Sequence, residues 1–150
     1  MKKVLIHMYT ILFFIISIIF IIFSGISESI MDKIQFHFSK SIFSKFKNQL
    51  FWDPSISWRN KYKNGDPKQG SKFWGSTTYF VFVTDAWHLF KFLKNTSMFI
   101  SMGISMYGAT FMGIEFDTSN TLIILMFLII GRSFFGLSFN LFFDKILNLD

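Results

Sequence analysis

Residues 4–23 read VLIHMYTILFFIISIIFIIF, twenty residues in which the only ionisable side chain of ordinary pH is His7. A helix that crosses the hydrocarbon of a bilayer needs about 20 mostly apolar residues, and this run meets that length outright. It is longer than the roughly 7–15 apolar residues of a secretory signal peptide. Lys2 and Lys3 precede it, and the following Ser24, Gly25, Ile26 and Ser27 make only a weak cleavage site. The expectation is a retained first span over residues 4–24, with His7 near the interface.

Three later segments meet the same length with a few polar interruptions, at 77–94, 97–114 and 121–143. The chain therefore reads as an all-α integral membrane protein, a single domain with about four transmembrane helices. The second and third segments together are too long for one crossing, so a break at Lys94-Asn95 is expected to fold them into an antiparallel hairpin, with Ser76 and Ser97 as N-caps. In the third, Ser97, Ser101, Ser105, Ala109 and Gly113 repeat every four residues. Such a small-residue ridge lets helix backbones approach closely in lipid. It predicts burial against a neighbouring helix, or else docking of a partner helix or a second copy of the chain. Met98, Met102 and Met106 form the adjacent row. Residues 115–120 are expected to form a short acidic turn.

Between the first and second spans, Ile30, Ile34, Phe38, Ile42, Phe46 and Leu50 recur every four residues, while Lys33, Lys40 and Lys47 recur every seven. That pattern predicts a basic amphipathic helix over 29–51 in the plane of the interface. Asp53-Pro54 ends it. Asn64-Gly65-Asp66-Pro67 and Gln69-Gly70-Ser71 are turn signals, so residues 53–75 are expected to form an ordered polar loop. Its Trp52, Trp58, Tyr62, Phe73 and Trp74 are more aromatics than a linker needs.

The formal net charge is +6. With no soluble domain to carry a nucleic-acid surface, the basic balance points to anionic membrane lipid as the partner and not to nucleic acid. Cysteine is absent, which removes disulfides and thiolate chemistry. GxSxG, HExxH and GxGxxG are absent as well, no cofactor signature appears, and KNGDPKQGSK lacks the GxxxxGK[ST] of a phosphate loop.

Two constellations carry candidate chemistry. Asp85 and His88 are three residues apart and share a helix face; as an acid/base pair, Asp85 would orient the imidazole. A metal site would need further ligands from Asp53, Asp66 or His37, and none is assigned. Alternatively Asp85 neutralises Arg132, since each falls near the middle of its expected span and a lone charge is costly there. The second constellation is Trp58, Arg59, Asn60, Lys61 and Lys63, where cations beside aromatics suit a phosphate-bearing headgroup. The alternative is that these charges lie in solvent or attract anionic lipid non-specifically.

The block SWRNKYKNGDPKQGSKFWGSTTYFVFVTDAWHLF, within residues 52–92, resembles a segment of small uncharacterised polytopic membrane proteins of bacteria. The resemblance implies a multi-pass bacterial membrane protein with this block as its defining unit and no particular activity; the expected location is the bacterial inner membrane. Three functions are then in play: a membrane-embedded enzyme or binder of a phosphorylated lipid-like molecule, a non-enzymatic accessory subunit, or part of a proton or ion pathway. Convergence of the loop cations on His88, an exposed small-residue ridge, or a polar track through the bundle would respectively favour them.

Overall fold

The computed structural model describes residues 2–111, 113 and 121–149; the expected acidic turn at 115–120 lies outside them. The described residues are helical, with no strand beyond two isolated bridges. Three long helices dominate: α1 (Lys2–Phe36), α3 (Ala86–Phe111) and α4 (Thr121–Leu141). A short α2 (Gln49–Trp52) and several single 3-10 turns form a cap at one end. Two helical stretches are long and apolar enough to cross a membrane, His7–Phe36 with mean hydropathy 2.6 and Thr121–Ile146 with 2.2.

α1 lies at the centre, with α3 and α4 packed on it. α3 runs antiparallel to α1. Gly108 meets Phe13 near one end, Ser17 meets Ser101 and Ser105 further along, Ser24 bonds the Lys94 carbonyl, and Gln35 accepts from Trp87 at the cap. α4 runs parallel to α1, with Phe14 against Phe127, Ile21 against Gly131, and Gly25 against Phe135 and Ser138.

The α1–α3 seam is built from the small-residue ridge. Ser97, Ser101, Gly108 and Ala109 are buried, whereas Met102 and Met106 are exposed. Thr10, Ser17 and Ser24 of α1, spaced by seven, are the buried counterparts. Ser17 Oγ sits 2.8 Å from Ser101 Oγ, 2.6 Å from Ser105 Oγ and 3.2 Å from the Ser101 carbonyl. The ridge therefore packs largely within its own chain, against α1, with Ser105 half-buried and Gly113 exposed.

The expected four-helix layout becomes three long helices, for two reasons. First, Lys94-Asn95 does not break α3. The Lys94 ammonium pairs with Glu28 of α1 at 2.6 Å, and its carbonyl accepts from Ser24, so Lys94 is satisfied without leaving the helix. Second, the expected 77–94 span is helical only from Ala86. Residues 77–84, TTYFVFVT, are all β-branched or aromatic, the types that lose most side-chain freedom in a helix. They form turns around Val81–Val83 instead, and Ser76, expected as an N-cap, bonds the Lys61 carbonyl at 2.7 Å.

The expected amphipathic helix over 29–51 is also corrected. Its first part continues α1 to Phe36; the rest is 3-10 turns at Phe38–Lys40 and Ile42–Lys45, then α2. Serine hydroxyls account for the change, because Ser41 Oγ bonds the Phe38 carbonyl and Ser44 Oγ bonds the Ser41 carbonyl. Such local bonds compete with helix propagation. Only the start of the apolar stripe is fully buried, and Phe46 is exposed: Ile30 and Ile34, with Phe43 from outside the stripe, form the cap core with Ala86 and Leu147. Leu147 reaches it because the chain beyond α4 pairs with Ser41, through Ile42 N–H to the Leu147 carbonyl at 3.1 Å and Leu149 N–H to the Lys40 carbonyl at 2.9 Å.

The 53–75 loop is ordered by local bonds. Tyr62 and Ser71 form a bridge, with Asn64 and Gly65 both at positive φ in the turn between them.

Candidate functional site

Asp85 is the residue immediately before α3, and its carboxylate accepts the His88 backbone N–H at 2.9 Å. That is the geometry of an N-cap, a position where aspartate satisfies an otherwise orphaned helical donor. The His88 ring turns back on the same carboxylate, with Nδ1 at 2.7 and 2.9 Å from its two oxygens. Asp85 is 3% exposed, while the His88 side chain is 43% exposed. Nδ1 is held by the carboxylate, which leaves Nε2 as the ring's other nitrogen. The ring borders a recess of about 270 Å³ shared with Gln35, Pro54, Ser57, Trp58 and Trp87. An imidazole oriented by a carboxylate is equipped to take or give a proton, and the same two residues also start a helix.

The cap position separates Asp85 from Arg132. Gly131 lies against Ile21, and the Lys94 carbonyl against Ser24. Asp85 is nine residues from Lys94, so it sits about 14 Å further along the axis, at 1.5 Å per residue. Among the described residues the expected Asp85–Arg132 ion pair is not formed. The guanidinium instead lies beside the Phe135 ring, 5.4 Å from its centroid, and reaches Gly136, one turn closer to the cap.

The loop cations do not converge on His88. Of the five residues singled out, only Trp58 borders the recess. Asn60 is a strut: its Nδ2 donates to the Thr84 carbonyl, and its Oδ1 accepts from Lys72 at 2.7 Å. It holds the loop against the start of α3. Arg59 lies over the Trp58 ring and Lys61 over the Tyr62 ring, 5.3 and 5.5 Å from the centroids. Lys63 is exposed. The conceivable extra metal ligands are dispersed: Asp53 accepts from Ser55, Asp66 from Lys68 and Gln69, and His37 packs edge-on against Phe143. Among the described residues no three His, Asp or Glu side chains gather.

The cap's charge arrangement follows from these bonds. Residues 37–85 hold eight Lys or Arg and three Asp. Each aspartate is engaged in a turn or cap, and among the described residues none of the eight cations is in an ion pair. Trp74 and Tyr79 stand out beside them, 79% and 76% exposed. The exposure of Trp74 and Tyr79 was not legible beforehand, although tryptophan and tyrosine are the aromatics enriched at membrane interfaces.

Replacing Asp85 by alanine removes the cap and the ring's anchor together. The expected cost is about 0.5–2 kcal/mol, read as a lower melting temperature in detergent, with Asp85→Asn recovering part of it because an asparagine oxygen still caps. An alanine variant as stable as the parent would contradict the capping role. No protein-family model matches this chain, and neither the curated proteins nor the solved structures contain a significant match to it.

Proposed function

We propose that this is a multi-pass membrane protein whose basic, aromatic cap holds anionic lipid headgroups, with α1, α3 and α4 crossing the bilayer. The observation that supports it most is the set of unpaired cap cations. A lysine or arginine near an anionic surface gains roughly 1 kcal/mol, and a guanidinium over an aromatic ring keeps its fork open for phosphate.

The topology sharpens the orientation. The cap, the start of α3 and the end of α4 share one end of the bundle, so Lys91, Lys94 and Lys145 join the nine basic residues of 25–75. Only Lys2 and Lys3 belong to the opposite end of α1, and Arg132 lies within the bundle. An excess of Lys and Arg marks the cytoplasmic side, so the cap faces the cytoplasm of a bacterial inner membrane. With three crossings the two ends of the chain lie on opposite sides of the membrane in this reading. Asp85 and His88 serve the cap's architecture in this reading, and binding takes precedence over catalysis.

The test is the lipid carried through purification in mild detergent, quantified by mass spectrometry. Parent protein should be enriched in anionic over zwitterionic lipid. The triple variant Arg59→Ala, Lys61→Ala, Lys63→Ala should lower that preference roughly tenfold or more, at about 1 kcal/mol per charge. An unchanged ratio would remove these three residues from the proposal.

A further inference from the structure

α3 and α4 both rest on α1 but leave a gap between them. It is a groove of about 500 Å³ floored by α1, and its walls include Met98, Met102 and Met106 on one side and Phe127, Leu128 and Phe135 on the other. Ser101 and Ser105 reach it, but their hydroxyls are within hydrogen-bonding distance of Ser17. Arg132 is the one charged residue on the lining, and among the described residues it has no carboxylate partner.

The groove is asymmetric. Arg132 lies towards its cap end, and the guanidinium extends further that way, to Gly136, which a Cβ would bring within 3.4 Å of Nη1. Gly136 lies at the level of Gly25, just short of Glu28 and Lys94, where the charged part of the bundle begins. From Phe135 the apolar trough runs away from the cap to Ile124, about 16 Å at 1.5 Å per residue. A cation within the bundle that reaches towards its charged end, with an apolar trough running the other way, is complementary to an anionic head carrying one long chain. The outer part of the wall supplied by α3 is a row of methionines, soft side chains that adapt to a flexible ligand; the small residues Ser101, Ser105 and Ala109 lie deeper, beside the α1 floor.

We propose that the groove binds a single-chain amphiphile with an acidic head, a carboxylate or a phosphate, the head on Arg132 and the chain between the methionine row and α4. This rests on the reading that the helices lie in a bilayer. It is independent of headgroup binding at the cap.

The experiment places the whole protein in nanodiscs of zwitterionic lipid and measures equilibrium binding of labelled palmitate, hexadecyl phosphate and hexadecanol, which share one chain length. At least one anion should bind about tenfold or more tightly than the alcohol. A phosphate preference would identify phosphorylated lipids as the source, and a carboxylate preference free fatty acids. Arg132→Gln should remove the anion's advantage and leave the alcohol unchanged. Gly136→Val, which takes the guanidinium's space while keeping the charge, should act in the same direction, so a poorly folding Arg132 variant does not decide the matter. Met102→Trp should weaken all three probes. The cap triple variant should bind all three as the parent does, so the two proposals fail separately. Equal binding of anion and alcohol, or anion binding indifferent to both Arg132→Gln and Gly136→Val, overturns the inference. So does a parent dimer that Arg132→Gln dissociates, because the groove would then hold a helix.

Discussion

Substituting Gly25 with leucine should pry α1 from α4 and be the most damaging single change in the helices. A Cβ at this position would lie 2.5 Å from the Phe135 carbonyl oxygen and 3.3 Å from its carbon, and would strike the Ser138 hydroxyl. A hydroxyl can rotate away, but the backbone of α4 cannot. The helices would have to separate, loosening Ile21 from Gly131, the Phe14–Phe127 edge contact at 5.2 Å, and the Lys33 ammonium 3.8 Å above the Phe143 ring. Where lipid replaces water around helices, packing carries much of their association, so the lost contact has little to replace it. Overpacking costs about 1–3 kcal/mol in ordinary cores; Gly25→Ala should fall within that range and Gly25→Leu at or beyond its upper end. The chain has no cysteine, so Ile21→Cys with Gly131→Cys offers a clean cross-link. Gly25→Leu should lower both melting temperature and cross-link yield. A leucine variant that melts and cross-links like the parent would mean the helices are not this close.

Ser17 tests the other seam, and here the two obvious substitutions should differ. Its side chain is 1% exposed and meets three oxygens of α3. Ser17→Ala should cost only about 0.6 kcal/mol, the average for such bonds in membrane helices, because Ser101 and Ser105 can fall back on carbonyls of their own helix. Ser17→Leu should cost about 1–3 kcal/mol more, since the ridge leaves no room for it. Thermal denaturation of both variants in one detergent gives the comparison. If alanine proved as harmful as leucine, hydrogen bonding and not proximity would be holding α1 to α3.

The helical class, the first apolar run and the inward-facing ridge were legible because each rests on a long, regular pattern. The errors arose where a tertiary partner decided the outcome. Lys94-Asn95 looks like a break until Glu28 and Ser24 are seen across the seam. The stripe from Ile30 to Leu50 has helical spacing, yet the cap core takes only Ile30 and Ile34 from it, at the end of α1, and adds Phe43 from a chain that has already left the helix. Asp85 falls mid-span only if 77–84 is helical. Those eight β-branched and aromatic residues argued otherwise on propensity alone. The groove had no linear signature, because its walls come from segments about 30 residues apart and exist only through the way both helices lean on α1.

The position of Leu147 bears on the order in which the molecule can be completed. Ile30, Ile34, Phe43 and Ala86 all leave the ribosome well before it, and it completes the one buried cluster that they form. Synthesis is directional, and a part made early waits for its missing partner. The cap therefore cannot finish while α4 is still being laid down, however early its own turns form. Between the appearance of Ala86 and that of Leu147 the chain must carry an open apolar seat, which α4 brings its tail back to fill.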